Sequence, residues 1–244
     1  MLEIKDVTRK FASKYGVANA TLTIEPGKTY ALLGPNGSGK TTLMKMIAGL
    51  MMPTSGQITY NGVPVGHKTK AHIAYMPTES FFYPYMSIMD AGKYYRDFFE
   101  DFDMARYKEI LQRMDLNPKD KIDKLSSGMN AKVRLALTLS RNAQLMMFDE
   151  PLNGVDILTR TQVINEITRY RDQGRSMIIS THLVEEMDEY IDHVVFMKYG
   201  LIVKEGSREE LTADKSLTDL YLELYAPPVP AVRAAAAKEV PADV

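Results

Sequence analysis

The 244-residue sequence contains no cysteine, which excludes a disulfide framework, a thiolate metal site and a cysteine nucleophile. It has no unbroken apolar run of the roughly 18 residues that a membrane-spanning helix needs. An excess of charge is missing too: 30 Lys and Arg against 31 Asp and Glu leave a net charge of -1. That balance argues against a nucleic-acid-binding surface as the main task, although a local basic patch is compatible with it. The opening MLEIKDVTRKF holds no apolar stretch behind a basic one, so no secretory leader is expected and a cytoplasmic protein is. Against these absences, 45% hydrophobic and 25% charged residues describe a globular chain with one large domain or two small ones.

Alternating apolar residues at Leu2, Ile4 and Val7, and again at Ala20, Leu22 and Ile24, predict two opening strands. After the turn signal Pro26-Gly27, residues 29–33 read as a short buried strand that runs into a glycine-rich loop and then into the helix TTLMKMIAGL. Further buried strands are expected at 73–76, 145–148, 177–180 and 193–197, with helical patterns near 87–100, 103–115, 128–141 and 157–172. Strands alternating with helices predict an α/β fold with a mainly parallel sheet. Residues 80–144 read as helices alone, an α-helical insertion in the sheet domain. Residues 226–244, with seven Ala and four Pro, read as a disordered tail.

The run Gly34-Pro35-Asn36-Gly37-Ser38-Gly39-Lys40-Thr41 satisfies G-x-x-x-x-G-K-[ST] between a predicted strand and a predicted helix. Glycines let the backbone curl so that successive N–H groups face phosphate oxygens, and the helix N-terminus adds partial positive charge. Lys40 is then placed for the β- and γ-phosphates, the Thr41 hydroxyl for Mg²⁺, and Thr42 for the α-phosphate. The expected ligands are ATP and Mg²⁺.

The apolar run 145–148 ends in Asp149-Glu150. Two charges cannot sit inside a parallel sheet, so they must emerge at its C-terminal edge, where such folds hold ligands. Asp149 suits Mg²⁺ and Glu150 suits polarisation of an attacking water. Ile178-Ile179-Ser180-Thr181-His182 breaks into polar residues at the same edge, so His182 can hydrogen-bond a γ-phosphate oxygen or that water. His67, His72 and His193 have no such context and are expected on the surface or in the core.

With these motifs in place, the sequence resembles the ATP-binding cassette (ABC) ATPases, because Leu125-Ser126-Ser127-Gly128-Met129 is similar to the family signature L-S-G-G-Q. Ser126 follows Thr41 by 85 residues, and the resemblance covers residues 1 to about 225 as one ATPase domain. It implies a P-loop NTPase with a mainly parallel sheet core, an N-terminal antiparallel β subdomain and the helical insertion at about 80–144. It further implies a dimer in which Ser126, Ser127 and Gly128 of one copy close on the phosphates held by residues 34–42 of the other. Asp156 would lie across the seam, His182 would be the switch histidine, and Phe11 or its rival Tyr15 would stack on adenine unless the ring belongs to the core. Two departures are visible. Thr78 stands where the family carries a metal-site glutamine, with Glu79 as a substitute after a shift, and Ser127 and Met129 vary the signature.

The aromatic segment with Phe81, Phe82, Tyr83 and Tyr85 is expected to combine packing of the insertion with lining a groove for a transmembrane permease subunit. The resemblance thus implies an exporter-type transporter ATPase, peripheral on the inner membrane face, acting as a homodimer or with a second cassette and without nucleic acid. An importer subunit, a soluble ATPase acting on nucleic acid or ribosomes, and a regulator of little turnover are the competing readings.

Overall fold

In the computed structural model, residues 1–79, 82–171, 174–183, 185–186 and 188–226 are described. Leu2–Phe11 (β1) and Lys14–Ile24 (β2) pair antiparallel. The inward residues Leu2, Ile4 and Val7 break strict alternation because a bulge at Asp6, with φ 49°, shifts the phase by one residue. Thr29–Leu33 (β3) is buried at every position and leads through the glycine loop into Lys40–Ile47 (α1). Ser55–Tyr60 (β4) and Val63–Pro64 (β5) return to the first sheet, whose order is β2-β1-β4-β5. The antiparallel N-terminal sheet expected from the resemblance is therefore present.

Ile73–Met76 (β6) precedes three helices: Ile88–Phe98 (α2), Met104–Arg113 (α3) and Ser127–Leu139 (α4). Each starts on a side-chain cap, from Ser87, Asp103 and Ser126 respectively, which satisfies otherwise orphaned N–H groups. Leu145–Asp149 (β7), Ile157–Arg171 (α5), Ser176–Thr181 (β8), His193–Lys198 (β9) and Leu201–Ser207 (β10) follow. Arg208–Leu211 (α6) and Leu217–Tyr225 (α7) close the described chain, so 227–244 of the expected tail lies outside it. The sequence patterns predicted neither β4 nor α7.

The second sheet has the order β10-β9-β3-β8-β7-β6, parallel except for the β9–β10 hairpin. Its two faces feed two cores. Tyr30, Leu32, Leu145 and Met147 point to one side, with α1 and the antiparallel sheet; Ala31, Leu33, Met146 and Phe148 point to the other, with α2–α5 and α7. A strand buried on both faces explains why these segments read as continuous apolar runs. Among the described residues, no helix is long and apolar enough to cross a membrane.

Candidate functional site

Register brings the motif residues together. Parallel pairing sets Leu33 beside Thr181, Asp149 beside Ser180, and Met76 beside Phe148. The residues that follow these strands, Gly34, Glu150, His182 and Pro77-Thr78, therefore leave the sheet at one edge. There a cavity of about 240 Å³ opens between residues 36–42 on one side and Thr78, Glu150 and Asn153 on the other. Gly39 caps α1 with φ 110°, and a Cβ there would strike the Gly16 carbonyl, so only glycine fits where the loop turns into the helix.

Lys40 lies buried beneath the loop, with Nζ donating to Gly34 O at 2.6 Å and to Pro35 O at 3.3 Å. The same ammonium is 3.1 Å from Glu150 Oε1, an ion pair without hydrogen-bond alignment. The other carboxylate oxygen, Oε2, lies 2.9 Å from Nδ1 of His182. Glu150 holds φ 49°, an uncommon value for a non-glycine residue, fixed by its N–H donating to both O (3.1 Å) and Oγ (2.9 Å) of Ser180.

Asp149 is fully buried and held by three hydroxyls. Ser180 Oγ donates to Oδ1 at 2.6 Å, Thr41 Oγ1 to Oδ1 at 3.1 Å, and Tyr75 Oη to Oδ2 at 3.0 Å. Burial, together with the neighbouring Asp149 charge, pushes the Tyr75 phenol above its ordinary value, so it stays a donor. Thr78 sits on the cavity, and its Oγ1 donates to Asp149 O at 3.3 Å; Glu79 is exposed and lines no part of it. Tyr75 and Ser180 escaped the motif reading, and the only sequence signal for Ser180 was its place beside His182 at a strand end.

The residues present fit a nucleotide phosphate and its cation. Ser38 Oγ is buried on this cavity with no hydrogen-bond partner among the described residues, a cost of about 1–3 kcal/mol that a phosphate oxygen would relieve, and Glu150 Oε1 meets only the misaligned Lys40 ammonium, which leaves it able to accept from water. Thr41 and Asp149 offer the hard oxygens that Mg²⁺ prefers. Phe11 is 41% exposed, which sets aside a core role, and its ring packs over Gly16: a Cβ there would come within 2.6 Å of Phe11 Cε2. Tyr15 is exposed as well, beside Lys10.

Ser126, Ser127, Gly128 and Asp156 do not line this cavity. They form a second group, in which a Cβ on Gly128 would lie 3.2 Å from Thr159 Oγ1 and 3.5 Å from Asp156 Oδ2. Asp156 accepts bonds from Thr159 Oγ1 (2.7 Å) and N (3.0 Å), which hold its carboxyl below the usual range. Beside it Ile157 and Leu158 are 78% and 80% exposed.

Of the aromatic segment, Phe81 lies outside the described residues and Phe82 turns inward against Tyr95, with ring centres 6.3 Å apart. Tyr83 and Tyr85 stack on the surface, their ring centres 5.5 Å apart. None of these described rings lines the apolar cavity of about 400 Å³ that lies elsewhere, between Ala48 and Leu50 after α1, the edge strand β6, and Tyr95 and Phe99.

A profile of the ABC transporter family matches residues 17–153. The chain is 29% identical to the uncharacterized ABC transporter ATP-binding protein sll0415 of a Synechocystis strain, across 78% of this chain and 56% of that one. It is 26% identical to the Nod factor export ATP-binding protein I of Rhizobium etli, across 92% and 73%. A putative ribose/galactose/methyl galactoside import ATP-binding protein of Pseudomonas savastanoi is 29% identical, across 93% and 48%. The chain thus spans about half to three-quarters of the length of these relatives. Among solved structures, one described as the ATP binding subunit of an ABC transporter superposes with a TM-score of 0.82 at 26% identity, covering 92% of this chain and 99% of that one.

Proposed function

The chain belongs to the ABC transporter family, and from that premise we propose that it binds and hydrolyses Mg·ATP to drive a separate transmembrane subunit, in an exporter. The observation that carries this reading is the convergence of Lys40, Asp149, Glu150 and His182 on one cavity beneath the phosphate loop. A triphosphate entering it competes with Glu150 for Lys40. Once Lys40 turns to the phosphate, Glu150 is free to take a proton from water, and His182 orients the carboxylate from its other oxygen. Mg²⁺, held by Thr41 and Asp149 with Thr78 alongside, would neutralise developing phosphate charge.

The separation of Ser126–Gly128 and Asp156 from this cavity supports a head-to-tail pair, in which each copy offers the exposed Ser126, Ser127 and Asp156 to the other's phosphates. Such a face also accounts for exposed Ile157 and Leu158. Phe11, beside the loop through Gly16, is the better adenine platform of the two rings. The apolar cavity beside β6 is proposed as the seat of the transmembrane partner, with stacked Tyr83 and Tyr85 as an outlying contact. That partner would hold residues 1–225, as one ATPase domain with its helical part at about 80–144, at the inner membrane face. The single short cassette and the variant signature residues Ser127 and Met129 support the export reading, alongside the export relative.

Titration with a fluorescent ATP analogue tests the site. Lys40→Met should weaken binding about tenfold or more, the worth of a charge-assisted hydrogen bond, and remove turnover. Undiminished binding would overturn the assignment.

A further inference from the structure

Arg134 lies on α4 two turns beyond the exposed Ser126 and Ser127, and only 8% of it is exposed. Among the described residues no carboxylate pairs with its guanidinium, and its buried Nε finds no acceptor. Its bonds go instead to the chain leaving β6: Nη1 donates to Pro77 O at 2.8 Å and also to Thr78 O. Burial draws the guanidinium below its ordinary value, although arginine stays charged.

A buried, unpaired cation lowers stability relative to an apolar side chain of the same shape. Packing alone therefore does not explain it. What it does is fasten α4 to the two peptide units that carry Thr78, and Thr78 in turn touches both the phosphate cavity and the Asp149 carbonyl. Thr78 is too short to bridge these parts by its own side chain, and Arg134 spans from the helix side to the backbone. We propose that Arg134 is a positioning residue for ATP hydrolysis, a strut that fixes the Thr78 loop against α4 so that the Ser126–Gly128 tip and the phosphate cavity move as one piece. The proposal rests on the ATPase reading above.

The test compares the parent with Arg134→Met, which keeps the stem and removes the donors, and Arg134→Lys, which restores one charged donor group. Turnover, KM for ATP and thermal unfolding are measured on all three. The expected result is a fall in kcat of tenfold or more for Arg134→Met with KM within about twofold, partial recovery in Arg134→Lys, and a melting temperature no lower than the parent's. A merely structural role predicts the reverse, a lower melting temperature with normal kcat per folded molecule, and that outcome overturns the proposal, as does Arg134→Met with unchanged kcat. Absence of ATPase activity in the parent would instead remove the reading beneath it.

Discussion

Asp149 is the residue on which most of the site hangs. Its carboxylate is buried and accepts from three hydroxyls, on β8, α1 and β6. Asp149 and Glu150 were legible in the sequence because an apolar run must deliver two acids to a sheet edge, and the glycine loop upstream favours a site over a simple cap. Tyr75 and Ser180 were not. Both sit inside strands and look like packing, and only the parallel register of β6, β7 and β8 brings their hydroxyls to Asp149. Tyr75→Phe removes one donor to a charged acceptor without changing the ring. It should lower stability by about 1–2 kcal/mol in urea unfolding and slow ATP turnover by less than tenfold. An unchanged midpoint would show that water replaces the phenol at no cost.

At the scale of elements, α2 and α3 pack against α4 in one core. Gly92 of α2 lies flat against the Tyr107 ring of α3, and a Cβ there would collide with it. Tyr107 cannot retreat, since it is fully buried and its Oη donates to Ile88 O at 2.8 Å. Gly92→Ala gains about 1 kcal/mol of helix propensity. Overpacking should outweigh that gain, for a net loss of about 1–2 kcal/mol by denaturant unfolding; a stabilised variant would mean that the two helices separate easily. The helices here were readable because each has a capping residue followed by apolar periodicity. β4 was not, because SGQITY buries only Ile58 and Tyr60 and opens on three exposed residues, one of them glycine. Helix α7 carries the same local signals, a capping box between Ser216 and Asp219 ahead of Leu217, Leu220 and Leu224, and the sequence reading passed over them. What local pattern could not show is its role: Tyr225 Oη donates to Met197 O at 2.9 Å and Leu33 O at 3.2 Å, clamping the end of β3.

For the molecule as a whole, motif order along the chain was plain in the sequence, while motif placement in space was not. The phosphate loop, Asp149, Glu150 and His182 share one edge because the parallel strands β3, β7 and β8 end there. Ser126–Gly128 and Asp156 join a different group, since α4 and the turn into α5 carry them away from that edge. A single chain therefore carries the two groups that the proposed function treats as half-sites.

In the proposed mechanism these half-sites meet across a pair of chains around ATP that Glu150 hydrolyses. Glu150→Gln, examined by sedimentation velocity with Mg·ATP beside a turnover assay, tests it most directly. The account predicts retained ATP binding, turnover lowered by about 100-fold or more, the scale of a lost general base, and accumulation of a dimer holding two ATP molecules. A Glu150→Gln protein that hydrolyses ATP as fast as the parent, or that stays monomeric with ATP bound, would contradict it.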